Sequence, residues 1–201
     1  MSSFTARVLA LCAAAATALL LSSCTSPASD GHTDHEHGSE SSAAGQPSGF
    51  NADDVAFATN MIPHHQQAVE MSAMVPDRST DPAVISLAKT IADAQDPEID
   101  TMTAWLVQWK QPPAGTGHEG HQGMDVNGMV DGATMTTLTS LKGAAFDELW
   151  LQSMIGHHQG AIEMAKAEIA NGENADAKKL AQHVVDAQQA EIGQMKQMLG
   201  G

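Results

Sequence analysis

The chain has 201 residues, 42% of them hydrophobic, with 24 acidic and 9 basic side chains and a formal net charge of −15. This length and hydrophobic content predict one ordinary domain with a single core, plus appendages. The acidic balance argues against nucleic-acid binding, because neutralising phosphates requires the opposite charge. An acidic surface attracts cations, although it serves solubility at a membrane surface equally well.

The first 23 residues have the pattern of a lipoprotein signal peptide. Arg7 provides a basic start, residues 8–21 are apolar, and small residues precede Cys24. The apolar stretch is short for a transmembrane helix, so we predict export and diacylation of Cys24. An ordinary signal peptide or an uncleaved anchor is the alternative. The prediction places the protein on the outer face of the cytoplasmic membrane or on another leaflet that faces the periplasm.

Residues 24–49 are rich in Ser, Gly, Ala and Asp, which predicts a flexible tether. The tether holds His32, His35 and His37 among acidic residues, a composition that either binds metal loosely or is incidental. Cys12 would be removed with the signal peptide, and Cys24 would carry lipid. Methionine, of which the chain has 12 copies, is then the soft metal ligand that remains.

Start and stop signals predict four long helices in a domain that covers residues 50–201. Asn51 resembles an N-cap, Pro82 fits the first position of a second helix, and Asn171 with Gly172 ends a third. The Gly-rich segment between the two helical hairpins is long for a connector. The predicted helices cover residues 52–75, 82–109, 145–170 and 174–199, with a short helix at 131–141 inside a crossover at 110–144.

An internal repeat relates the two halves of the domain. The peptide from Met61 to Met71 returns 93 residues later, and the same shift carries Glu98 onto Glu191. The repeated unit is therefore a helical hairpin, residues 52–109 and 145–199. A long crossover can span such a hairpin from end to end and relate the copies by a two-fold axis. We predict an all-α four-helix bundle in which His64 and His157 approach that axis.

Methionine and histidine recur on one face of the first predicted helix. Met61, His64 and Met71 lie at helical spacing on one stripe. His65 diverges from His64 by about 100° and needs other partners. Imidazole with thioether ligands suits copper, particularly Cu(I), and other transition metals stay open. The candidate metal ligands are Met61, His64, His65, Met71, Glu98 and Met102, with their repeats Met154, His157, His158, Met164, Glu191 and Met195.

The crossover carries a second group of metal-binding residue types. Its Gly-rich part predicts an accessory, labile site formed by His118, His121, Met124 and Met129. His183, in the fourth predicted helix, has Thr90 as its counterpart in the first half and is interpreted as a surface histidine.

The two Met-Ile-x-His-His-Gln peptides and the lead-in from Phe146 to Trp150 resemble the family catalogued as domain of unknown function 305. The resemblance covers about residues 50–201. It implies a ferritin-like four-helix bundle in secreted or lipid-anchored bacterial proteins. For members with a known role, it also implies periplasmic copper binding and copper resistance through Met and His. The positions that it carries over are Met61, His64, His65, Met71, Met154, His157, His158 and Met164.

Three other readings of the same residues stay open. In the first reading no metal is bound: the methionines fill gaps in the core, and the histidines form a polar cluster with Gln66 and Glu70. The second is an envelope interaction module whose histidines sense pH. The third is a ferritin-like redox enzyme, although the Glu-x-x-His pattern of di-iron sites is absent, since Thr101 follows Glu98 at that spacing. A monomer and a homodimer both fit the sequence.

Overall fold

The computed structural model describes residues 49–115 and 128–200. Within these ranges every regular element is helical and no strand occurs, which confirms the predicted all-α class. A short 3-10 turn, Val75–Asp77, follows the first helix. The helices are α1 (Ala52–Met74), α2 (Pro82–Gln108), α3 (Gly132–Ser140), α4 (Ala144–Asn171) and α5 (Ala175–Met198), close to the predicted bounds.

Four of these helices have an N-cap residue whose side chain accepts hydrogen bonds from the first turn. Asn51 accepts hydrogen bonds from the backbone N–H groups of Asp53 and Asp54, and the Asp54 carboxylate accepts the N–H of Asn51 in return. Asp81 caps α2 just before its first-turn proline, and Asn174 caps α5. The side chain of Asp131 caps α3 in the same way. Each cap satisfies N–H groups that have no partner inside the helix.

The helices pack as two hairpins that meet through their histidine-bearing members. α1 packs on α2, α4 packs on α5, and α1 contacts α4. Buried apolar side chains gather in two clusters. The first apolar cluster includes Phe57, Ala58, Met61, Met102, Ala161 and Val184, and the second includes Ala68, Met71, Ile91, Trp150, Met154 and Met195.

Residues that the internal repeat makes equivalent lie in opposite clusters. A shift of 93 residues carries Met61 of the first cluster onto Met154 of the second. The same shift carries Ala68 of the second cluster onto Ala161 of the first. Equivalent residues of the two hairpins therefore lie at opposite ends of the packed core, as a two-fold relation between the hairpins requires.

A buried indole joins the two hairpins at the second cluster. Trp150 is fully buried, and its Nε1–H donates to the backbone oxygen of Met71 at 3.0 Å. At the end of α1 the N–H of Val75 donates to Ser72 instead, in a tighter turn. The indole thus donates to a carbonyl at the end of α1 that lacks its usual N–H donor from the helix.

The returning end of the crossover is fixed to α1. The Gln67 side chain donates to the carbonyl of Val130 and accepts the N–H of the same residue, both at 2.8 Å. Gly128 has a φ of +89° and lies against the backbone of α4 at Gly160, where a Cβ would not fit. These contacts place α3 beside the α1–α4 pair.

Two buried carboxyl groups lie where α1 meets the turn between α4 and α5. Asp54 accepts the N–H groups of Glu173 and Asn174, at 3.1 and 2.9 Å. Burial opposes its ionisation, but these bonds and that from Asn51 outweigh burial and lower the pKa of Asp54. Burial raises the pKa of Glu168 to about 8, with hydrogen bonding and negative charge from Asp54 as further causes. A Cβ at Gly172 would overlap the Glu168 carboxyl.

Several predicted features lie outside the described residues. They are the signal peptide, Cys24, the tether with its histidines, and His118, His121 and Met124 of the crossover. Met129 is described and partly exposed. Among the described helices, none is both long and apolar enough to cross a membrane. The ferritin-like arrangement, the domain bounds and the homodimer stay predictions.

Candidate metal centre

Each long helix carries buried polar side chains where its inward face passes from one apolar cluster to the other. On α1, His64 and His65 lie between Met61 of the first cluster and Ala68 of the second. The other helices repeat this arrangement. The resulting set, called the polar layer below, consists of His64 and His65 on α1, Gln95 on α2, His157 and His158 on α4, and Gln188 on α5.

Two imidazole rings face each other at the centre of the polar layer. The ring centroids of His64 and His157 are 3.7 Å apart, and the ring planes are inclined by 37°. The exposed fractions of the two residues are 0% and 1%. The predicted approach of these two residues is therefore present in the structure. Two rings this close in a buried position do not both carry a positive charge, because like charges repel strongly at low dielectric.

The neighbouring histidines each pair with a glutamate of their own hairpin. His65 Nε2 lies 2.8 Å from Glu98, and His158 Nε2 lies 2.8 Å from Glu191. Because a carboxylate accepts, the imidazole Nε2–H donates in both pairs. The Nδ1 atoms of both histidines are buried and have no hydrogen-bond partner within residues 49–115 and 128–200. A carboxylate that fixes one ring nitrogen and leaves the other available is the usual outer partner of a metal-binding histidine.

Burial holds His157 in its neutral form. Loss of hydration lowers its pKa from 6.5 to about 2, and the neighbouring imidazoles of His64 and His158 add to this effect. A backbone hydrogen bond with His64 acts in the opposite direction, but burial outweighs it. A neutral imidazole keeps a lone pair, which is the form that binds metal.

Two glutamines complete the polar layer and were not among the predicted ligands. Gln95 and Gln188 are both 3% exposed and occupy equivalent places in the repeat. Among the described residues, both side-chain polar atoms of Gln95 and the oxygen of Gln188 lack a hydrogen-bond partner. Buried polar atoms are nearly always satisfied, so a group of exceptions in one layer indicates a ligand or a functional role. Their recurrence at the repeat spacing was the signal in the sequence.

The predicted methionine ligands divide equally between the two sides of the polar layer. On each side they comprise one methionine from each of three helices, and only Met164 is incompletely buried. Packing in a core is the ordinary role of such residues, and the clusters show that all six have it. The first side holds Met61, Met102 and Met164, and the second holds Met71, Met154 and Met195.

The imidazole nitrogens and thioether sulfurs of this region fit a soft or borderline transition metal. The His, Cys, Asp and Glu side chains alone, however, do not form a preformed metal site. Within residues 49–115 and 128–200, no three of them are grouped as a metal site. A metal at the polar layer would therefore need thioether ligands or rotated side chains. Neutral imidazoles flanked by thioethers are a combination that copper accepts.

His183 lies beside one of the two glutamates. Its side chain is 66% exposed, which agrees with the surface position expected from the sequence. The sequence did not indicate its neighbour: Nε2 of His183 is 3.9 Å from Glu98 Oε1, the oxygen that does not pair with His65.

Residues 54–199 match the family described as Domain of unknown function (DUF305). The chain belongs to the DUF305 family. A crystal structure of a DUF305 protein from Streptomyces coelicolor, described as secreted, is 37% identical with a TM-score of 0.68, and the match covers 74% of this chain and 92% of that one.

CopM in its Cu(II)-bound form is a second structural relative. It is 34% identical with a TM-score of 0.63, and the match covers 72% of this chain and 94% of CopM. CopM is also known in Cu(I)-bound and silver-bound forms. An uncharacterised protein of Acanthamoeba polyphaga mimivirus is 38% identical over 58 residues, which are 29% of this chain and 38% of the viral protein.

Proposed function

We propose that this DUF305 protein binds copper outside the cytoplasm, through methionine and histidine, to sequester it or pass it on. Copper is a bound cargo in this proposal, and no catalysis is assigned. The copper-bound CopM structures and the secreted relative support it at the level of the family.

The observation that carries the proposal is the polar layer. Four buried imidazoles meet at one level of the core, and the Nδ1 atoms of His65 and His158 point to no hydrogen-bond acceptor or donor among the described residues. Leaving such groups unsatisfied costs about 1–3 kcal/mol each. A bound metal would offset that cost, and methionines on both sides offer it soft ligands.

We assign the two glutamates a positioning role. Glu98 and Glu191 hold His65 and His158 through Nε2, so the free lone pair of each ring is on Nδ1. Outer partners of this kind commonly change metal affinity 10- to 100-fold when removed. Glutamate as a direct ligand, as predicted from the sequence, is the alternative within the same proposal.

The pKa of His157 bears on the pH-sensing alternative. A residue whose pKa lies at about 2 does not change charge between pH 5 and 8, so it would be a poor sensor in that range. The same neutral ring is a good ligand, and copper binding is the better explanation of its burial.

Copper titration of the purified protein tests the proposal. Cu(I), under anaerobic reducing conditions, and Cu(II) would each be titrated against a chelator of known affinity. The double variant His64→Ala with His157→Ala should lose the tightest copper-binding step. The matched control is Gln66→Ala with Gln159→Ala, which alters exposed neighbours at equivalent positions of the repeat. Affinities equal in the histidine variant and the control would reject the polar layer as the site.

A second pair of variants separates thioether binding from packing. Met61→Leu with Met154→Leu keeps the apolar volume, so stability should change by less than about 1.5 kcal/mol per site. Cu(I) affinity should still fall, because leucine offers no ligand. Met74→Leu, at a half-buried position outside the predicted ligand set, is the control. Unchanged Cu(I) affinity in the double variant would assign the methionines to the core alone.

The membrane part of the proposal is attachment through lipid on Cys24. Cells that express the protein should place it in the membrane fraction and incorporate labelled fatty acid, and a Cys24→Ser variant should do neither. Recovery of both forms in the same soluble fraction would remove the anchor from the proposal.

A further inference from the structure

The two glutamates that bind histidines of the polar layer have similar surroundings, except that one of them has a further imidazole nearby. Glu98 and Glu191 are 11% and 13% exposed, and each binds its histidine at 2.8 Å. Glu98 also has the exposed imidazole of His183 at 3.9 Å from its second oxygen. The residue equivalent to His183 is Thr90, whose hydroxyl donates to Ser86 of its own helix.

We propose that His183 and Glu98 form a surface capture site through which copper enters the polar layer from one side. The proposal rests on the copper-binding function proposed above. It assigns to His183, which stands outside the predicted ligand set, the first contact with the hydrated ion.

The separation of the two groups suits a shared ion better than a direct bond. A distance of 3.9 Å is too long for a hydrogen bond between Nε2 and Oε1. Two metal–ligand bonds of about 2.0–2.2 Å span roughly 3 Å at a right angle and roughly 4 Å when nearly collinear, so the pair fits a shared ion at a wide N–metal–O angle or after a small movement of the exposed imidazole. A nitrogen and an oxygen donor together suit Cu(II). A contact whose imidazole is 66% exposed would add little to stability.

Glu98 connects the capture site to the interior. One carboxylate oxygen faces His183 on α5, and the other accepts from His65 on α1. His65 is fully buried, while His183 is mostly in solvent. An ion held at Oε1 of Glu98 is therefore separated from His65 of the polar layer only by the Glu98 carboxylate group. The repeat makes Thr90 the equivalent of His183, so an equivalent pair with Glu191 would lack its imidazole.

The rate of Cu(II) uptake tests this assignment. Stopped-flow tryptophan fluorescence of the full protein, mixed with Cu(II) alone, gives the rate, and an equilibrium titration gives the affinity. His183→Thr copies the residue of the other half. It should slow both uptake and chelator-induced release several-fold and by the same factor, so that the affinity stays unchanged. Thermal unfolding checks that the exposed substitution leaves the fold intact.

A transplanted histidine gives the complementary result. By the repeat, Thr90→His should bring an imidazole to Glu191, so Thr90→His with His183→Thr should restore the wild-type rate. His183→Thr that loads copper as fast as wild type would overturn the capture site and leave the proposed function standing. A loss of equilibrium affinity as large as the loss of uptake rate, with the release rate unchanged, would also overturn it. His183 would then be a permanent ligand of the bound ion. A wild-type protein that binds Cu(I) but no Cu(II) would overturn the capture site alone, and one that binds neither ion would overturn the proposed function itself.

Discussion

Replacing Glu168 with glutamine should remove a pH dependence from the stability of the protein. The carboxyl is 2% exposed and lies near the ionised Asp54, with Asp53 and Lys178 as the other charged groups that act on it. Its pKa rises from 4.5 to about 8 on folding. Since the folded state binds the proton more tightly, this group stabilises the fold at low pH. The contribution is lost as pH rises from about 4.5 through 8.

The size of the effect follows from that pKa. Between the two values, stability should fall by up to about 1.4 kcal/mol per pH unit. From pH 6 to pH 8 the loss is about 2 kcal/mol, because the group is already half ionised near pH 8. Glutamine has the shape of the protonated acid and no charge at either pH. The Glu168→Gln variant should therefore match wild type near pH 4, and its advantage over wild type should grow by about 2 kcal/mol between pH 6 and pH 8.

Urea unfolding followed by far-ultraviolet circular dichroism, at several pH values, gives the free energies. The informative quantity is the difference between variant and wild type, because other groups titrate in the same range and cancel from it. Glu70→Gln, which changes an exposed carboxyl on α1, is the matched control. A Glu168→Gln difference that stays constant between pH 6 and pH 8 would refute the reasoning.

Three further outcomes are expected in the same unfolding assay. Trp150→Phe removes the 3.0 Å bond to Met71 and should cost about 1–3 kcal/mol, and a cost below 0.5 kcal/mol would contradict the anchoring role. Gly172→Ala should cost about 1–3 kcal/mol through overlap with Glu168, and a neutral effect would show that the carboxyl can move. His157, with its pKa of about 2, resists protonation, so wild type loses stability as pH falls below 6.5. The difference between His157→Gln and wild type should move in favour of the variant by up to about 1.4 kcal/mol per pH unit, and a constant difference would contradict burial of a neutral ring.

The helices and the meeting of the repeats could be predicted because their signals are local or periodic. Asn51 caps α1 through its own side chain, which the sequence shows directly. The shift of 93 residues relates His64 to His157, and a two-fold relation then brings them together. The buried state of the methionines also followed from helical spacing.

Contacts between side chains of different helices could not be predicted in the same way. Helical spacing places His64 and His65 about 100° apart but does not say that the partner of His65 is Glu98. The approach of His183 to Glu98 depends on how α5 lies relative to α2, a tertiary property. Glu168 breaks the repeat, since Val75 stands at the equivalent buried position, and nothing nearby in the sequence shows that Asp54 is its neighbour.

X-ray absorption spectroscopy of the copper-loaded protein tests the central claim most directly, because it reports the atoms bound to the metal. For Cu(I) in wild type, we expect both imidazole nitrogen and thioether sulfur in the coordination shell. The nitrogen contribution should fall in His64→Ala with His157→Ala, and the sulfur contribution should fall in Met61→Leu with Met154→Leu. A wild-type spectrum without sulfur, unchanged in both double variants, would contradict copper binding at the polar layer.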